Sequence, residues 1–117
     1  MRLVCAVAAT ATLAAAIALY LQGSVGSWVL PALWLGPDIA FLVGVGETGG
    51  RAPGQMPDRA VRPYNLLHRM SGPIALFATA VSVLPPSFLV GALLWTVHTC
   101  FERALGYGLG TPAGWRG

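Results

Sequence analysis

From Leu3 to Gln22 the chain is one apolar run of 20 residues, rich in alanine and leucine. At 1.5 Å per residue, a helix of that length reaches about 30 Å, the thickness of a bilayer's hydrocarbon core. The rest of the chain offers no soluble alternative. Only 9% of the 117 residues are charged and 56% are hydrophobic, where a soluble domain carries roughly 25% charged residues. A chain this small exposes much of its surface and cannot coat it with so few charges. Most soluble enzymes, disordered chains and acidic tails are excluded on that ground. A cleaved signal peptide competes for the first run, because Arg2 precedes it and small residues fill it. Its apolar region would exceed the usual length of roughly 7–15 residues.

Punctuation divides the remainder. Gln22 to Ser27 is uncharged and rich in glycine and serine, which reads as a tight turn. A second apolar run, Trp28 to about Gly46, is interrupted by Pro31 and by Gly36-Pro37-Asp38. Pro37 has no N–H to give the Leu33 carbonyl, so this helix is expected to be kinked or broken near Gly36-Pro37. Residues 47–63 form the one long loop, whose arginines are placed to touch anionic head groups. Pro63 suits the first position of a third helix. Its purely apolar part, Pro73 to Leu84, is too short to cross alone. The span must therefore include Tyr64 to Gly72, with Asn65, His68, Arg69 and Ser71. Pro85-Pro86 opens a fourth helix, and Gly106-Tyr107-Gly108 ends it. The tail to Gly117 reads as irregular. The expectation is an all-α, four-span transmembrane helical bundle forming a single integral membrane domain, 1–117. Its spans are about 3–22, 28–46, 64–84 and 87–105, with a cytoplasmic loop at 47–63.

An even number of spans puts both termini on one side. The basic residues are all arginine: Arg2, Arg51, Arg59, Arg62, Arg69, Arg103 and Arg116. Every one falls on the face shared by the termini and the 47–63 loop. Positive residues collect on the cytoplasmic side, so the expected location is the inner (plasma) membrane, multi-pass, with N- and C-termini cytoplasmic. Tyr20 and Trp28 then mark the outer interface, and Tyr64, Tyr107 and Trp115 the inner one. The net charge of +3 comes without a basic run or patch, which argues against nucleic acid. Cys5 and Cys100 have no CxxC or metal spacing and read as small packing residues. The expected partners are the lipid bilayer, its anionic lipids, and a second copy or another membrane protein, since four short helices enclose little interior.

Ionisable side chains inside spans are costly and usually face the bundle interior. Asp38, His68, His98 and Glu102 all fall in the cytoplasmic half. Asn65, His68 and Gly72 share one helical face, as do Gly91, Trp95, His98 and Glu102. His98 and Glu102 are one turn apart, the spacing of two ligands on one helix. Three readings follow. The first is a hydrogen-bonded network of Asp38, Asn65, His68, His98 and Glu102 with a structural or partner-binding role. The second is a divalent metal site, Zn, Mn or Fe, held by Asp38, His68, His98 and Glu102 in a metal-dependent membrane hydrolase. There Glu102 is general base or fourth ligand and Arg103 orients an anionic substrate group. The third is a small proton- or ion-linked permease, which the apolar outer half of the bundle disfavours. That half has only Thr10, Thr12, Thr79 and Ser82 as polar relief. No HExxH pattern, nucleotide loop or nucleophile elbow is present.

Several segments in chain order carry a resemblance. They are Gly26-Ser27-Trp28, Pro37-Asp38, Tyr64-Asn65-Leu66-Leu67-His68, and His98 followed by Glu102-Arg103 and Gly106-Tyr107-Gly108-Leu109. On these the chain resembles the small bacterial membrane proteins grouped as domain of unknown function 4260. The resemblance implies a four-helix integral membrane protein of this length and no known activity. It implies that Asp38, Asn65, His68, His98 and the acid at 102 are characteristic positions. The chain departs from the pattern at Glu102, where Asp is expected, and at Gly110, where Lys is expected. Its tail after Trp115 is shorter and its 47–62 loop longer than the pattern.

Overall fold

Alanine and leucine lose little side-chain freedom in a helix, and the first run becomes α1, Arg2–Leu21, in a computed structural model. The structure describes residues 1–23, 28–47 and 49–116. The turn expected at 22–27 therefore lies largely outside the described residues, as do Gly26 and Ser27 of the resemblance. Only Ala9 and Ala16 are fully buried on α1, while Leu3, Val4, Val7, Ile17 and Leu21 are exposed. Among the described residues α1 is the helix long and apolar enough to cross a membrane.

The second apolar run changes character at the expected place. It is an α-helix, α2, over Val29–Leu35 and a 3₁₀ helix over Gly36–Gly44. With no N–H on Pro37, the α pattern fails there and the backbone tightens. A 3₁₀ run of nine residues is long, since such runs seldom exceed about four. It rises about 2.0 Å per residue, so the 16 residues of Val29–Gly44 reach roughly 28 Å instead of the 24 Å of an α-helix.

The third helix differs from expectation at both ends. Helix α3 runs Asp58–Leu67, with Pro57 before its first residue and Asp58 in its first turn. A negative charge suits that position, and the Arg59 N–H also points to Glu47 Oε2 at 3.4 Å. Pro63 thus lies inside the helix rather than at its start. Residues 58–63, expected in the loop, are helical. The chain then turns at His68–Met70 and resumes as α4, Ser71–Ser82. The physical reason for the break is Pro73. It has no N–H for the Arg69 carbonyl, which closes one residue earlier on the Gly72 N–H at 3.2 Å.

Helix α5, Pro86–Leu105, begins with proline at its first position and ends at Gly106, whose φ of 97° lies in the left-handed region. It is the axis of the fold, packing against α1, α2, α4 and the 3₁₀ helix, while α3 packs on the 3₁₀ helix. The tail after α5 is pinned. Asn65 Nδ2 donates to the Gly110 carbonyl at 2.8 Å, and the Gly110 N–H returns to Asn65 Oδ1 at 2.6 Å. The Met56 N–H reaches the Gly114 carbonyl at 2.8 Å, and Gly110 pairs with Arg116 in an isolated bridge. Regular structure among the described residues is otherwise all helical. The hydroxyls of Thr10, Thr12, Thr79 and Ser82 each donate to a carbonyl four residues earlier in their own helix. They need no partner from outside.

A candidate metal centre

Three elements deliver four side chains to one point. Asp38 comes from the 3₁₀ helix, His68 from the end of α3, and His98 and Glu102 from successive turns of α5. One ligand atom from each lies within 4.8 Å of all the others. His68 Nε2 is 3.1 Å from Glu102 Oε2, 3.9 Å from Asp38 Oδ1 and 3.3 Å from His98 Nε2. His98 Nε2 is 3.6 Å from Asp38 Oδ1. An ion roughly 2.0–2.1 Å from four tetrahedral donors holds those donors about 3.3–3.4 Å apart. These four separations fall on either side of that edge length, and the remaining pairs lie within 4.8 Å. Three of the four exceed the 2.7–3.2 Å or so of a good hydrogen bond.

The tautomer of His68 follows from its other nitrogen. His68 Nδ1 lies 2.9 Å from the Tyr64 carbonyl, which can only accept. Nδ1 therefore carries the proton, and in the neutral ring Nε2 presents a bare lone pair. That lone pair faces two carboxylates and a second imidazole. Such a convergence needs a donor or a cation among its acceptors: an Nε2 proton on His98, a second proton on the His68 ring, or a metal ion.

Neighbouring groups hold the ligands in place. The Tyr64 hydroxyl donates to Glu102 Oε2 at 2.9 Å, and its ring stacks on His68 with centroids 3.8 Å apart. Trp34 stands edge-on to His98 at 5.8 Å. Arg116 Nη1 approaches Glu102 Oε1 at 3.8 Å. Its guanidinium lies 4.6 Å from the Tyr107 ring centroid and 5.6 Å from that of Phe41. His68 and His98 are buried, and Glu102 is largely so. Asp38 keeps 42% of its side-chain surface exposed and is the cluster's opening to the outside.

Not every residue singled out from the sequence joins this point. Asp38, His68, His98 and Glu102 do. Asn65 does not; both its side-chain hydrogen bonds go to Gly110. Arg103 donates through Nη2 to the His68 carbonyl at 3.1 Å. The Trp95 indole takes the Leu67 carbonyl at 2.8 Å. Together they satisfy the open end of α3, where a positive charge is also favoured by the helix dipole. Sequence reading placed Tyr64 at the lipid interface, yet it is 0% exposed. Its position four residues before His68 on one helix face was the signal that could have placed it beside the ring. Arg116 carried no local signal, because the folded-back tail brings it there.

No curated protein and no solved structure matches this chain. A family model does, over residues 2–117. The match covers nearly the whole sequence and includes all four clustered residues; the chain belongs to the family described as a domain of unknown function (DUF4260).

Proposed function

We propose that this is an integral membrane protein that binds one divalent transition-metal ion at Asp38, His68, His98 and Glu102, close to its cytoplasmic face. The observation that carries the reading is the set of donor separations. They suit the edges of a tetrahedral coordination shell better than they suit a hydrogen-bonded network. Two imidazoles and two carboxylates form a ligand set of the kind that holds Zn, Fe or Mn.

The membrane part rests on α1, on the apolar exterior and on charge placement. The crossings are α1, the stretch Val29–Gly44, α5, and the short α4 with Val83 and Leu84, which reaches only about 21 Å and crosses where the bilayer thins to meet it. Helix α3 has Ala60, Val61 and Tyr64 buried on one face and carries Asp58, Arg59 and Arg62. It lies along the head-group layer as an amphipathic segment. In this arrangement the break at His68–Met70 is where the chain turns from the interface into the bilayer. Four protein ligands close the shell, as in structural zinc sites. Asp38, the most exposed of the four, is the ligand that a substrate or water would displace. That exchange is what metal-assisted hydrolysis at this centre requires.

Metal content measured on detergent-purified protein tests the proposal. The wild type should carry about one ion per chain after reconstitution with Zn, Mn or Fe, and His68→Ala and His98→Ala should each lose it. A well-folded wild type that takes up none of the three overturns the metal centre and leaves the polar cluster as a structural lock.

A further inference from the structure

At the end of α5 lies a second polar feature, which shares no residue with the metal ligands. A pocket of about 440 Å³ is lined by Met1, Arg2, Arg103, Gly106, Tyr107, Gly108 and Leu109. Its size suits a small ligand. Two guanidiniums from different helices border it, and no acid does. Among the described residues, no carboxylate lies within 4.0 Å of either arginine; Glu47 pairs with Arg51, Glu102 with Arg116, and Asp38 with the histidines. Two like charges around one cavity repel. Two of the carbonyls at the end of α5 are already engaged by the turn that follows it. The Gly106 N–H bonds to the Arg103 and Glu102 carbonyls, and the Tyr107 N–H bonds to the Glu102 carbonyl.

The approach of Arg2 depends on Gly106. A side chain built on Gly106 would start 2.7 Å from Arg2 Nη2 and 3.1 Å from Arg2 Cζ. Glycine at that position therefore serves two ends, the left-handed turn that stops α5 and the room for the guanidinium. Arg103 spends Nη2 on the His68 carbonyl, which fixes the side chain and leaves its Nε and Nη1 as further donors. Tyr107 adds a hydroxyl. At the rim the side chains of Met1 and Leu109 are apolar.

We propose that this pocket binds a phosphate group, with Arg2 and Arg103 as its cationic contacts. Guanidiniums arriving from two directions match several oxygens of one tetrahedral anion, as paired forks on phosphate do. The apolar rim takes the first carbons attached to it. A phospholipid head group and a soluble phosphate ester share this chemistry.

Two binding measurements on the purified protein test the site and separate its sources. Native mass spectrometry after equilibration with equal phosphatidylglycerol and phosphatidylcholine probes the lipid. Ligand-observed NMR with glycerol 3-phosphate probes the soluble ester. Arg2→Gln should weaken whichever probe binds by about tenfold, the loss expected for one charged hydrogen-bonding partner. Arg59→Gln, which removes the same charge elsewhere, should not. Arg2→Lys keeps the charge without the forked donors and should recover only part of the binding lost in Arg2→Gln. Binding of either probe, or of both, in this pattern assigns the source and supports the site. Binding that is absent, or equally reduced by Arg59→Gln, or unchanged by Arg2→Gln in a folded protein, overturns it. None of these readouts depends on metal, so the result stands apart from that of the metal centre.

Discussion

Tyr64 does more for the centre than any residue that could ligate an ion. Its carbonyl accepts from both the His68 backbone N–H and His68 Nδ1. Its ring stacks on the imidazole and its hydroxyl binds Glu102. One residue thus fixes the tautomer of one ligand and the rotamer of another. Tyr64→Phe keeps the carbonyl and the ring but removes the hydroxyl. A hydrogen bond to a charged group contributes about 1.5–3 kcal/mol, and partners of ligands typically matter about 10–100-fold in metal affinity. Competition with a chelator should therefore show metal affinity lower by about tenfold or more, with the ion still bound at saturation. Unchanged affinity would mean that Glu102 is held by Arg116 and the histidines without help. Asn65→Ala should behave differently: its bonds go to Gly110. Hydrogen exchange should rise in residues 110–116 while metal content stays the same.

At the scale of elements, α5 and the α3–α4 break are fitted to one another by small residues. A Cβ on Gly72 would sit 2.9 Å from Cζ2 of Trp95 and 3.0 Å from its Cη2. That indole is held by its hydrogen bond to the Leu67 carbonyl, so it cannot step aside without unsatisfying the end of α3. A Cβ on Gly91 would meet Leu33 along its length, at its Cδ1 and at 3.2 Å from its Cγ and 3.3 Å from its Cβ. Overpacking of a well-fitted contact costs about 1–3 kcal/mol. Gly72→Ala and Gly91→Ala should both fall in that range, read as thermal midpoints in the same detergent. An unchanged midpoint in either would show that the facing side chain is free to move. The break itself was hidden from a reading by apolar periodicity. Pro73 marks it, but a membrane helix tolerates proline when neighbours supply the missing donors, so the residue alone did not decide between a kink and a turn.

The whole molecule couples the centre to the bundle. The four clustered side chains tie the 3₁₀ helix, α3 and α5 together, beside the apolar cluster of Ala40, Val61 and Tyr64 that α3 and the 3₁₀ helix already share. An ion that binds the folded state alone adds stability in proportion to the logarithm of its concentration over its Kd, about 2.7 kcal/mol at a hundredfold excess. Chelation should therefore lower the thermal midpoint of wild-type protein and leave that of His68→Ala unchanged. An equal shift in both would place the ion's effect elsewhere. Orientation is open to a separate check in a Cys5→Ala, Cys100→Ala background. Arg59→Cys should react with an impermeant maleimide only in inverted vesicles, and Pro85→Cys only in right-side-out ones. Reaction of both from one side would overturn the crossing pattern.

By itself the sequence determined what periodicity and composition can carry. The helical class follows from apolar runs without strand alternation. The change at Gly36-Pro37 follows from a missing N–H. Asp38, His68, His98 and Glu102 stood out because charge is scarce in apolar runs and because three- and four-residue spacings set side chains on one face. The tertiary structure decided what depends on distant segments meeting. It placed Asn65 on the tail and Arg103 on a helix end instead of in the cluster. It also drew in Tyr64, Trp34 and Arg116. A polar side chain takes whichever partner the fold brings within about 3 Å, and between residues as far apart as Glu102 and Tyr64 no local pattern encodes that distance.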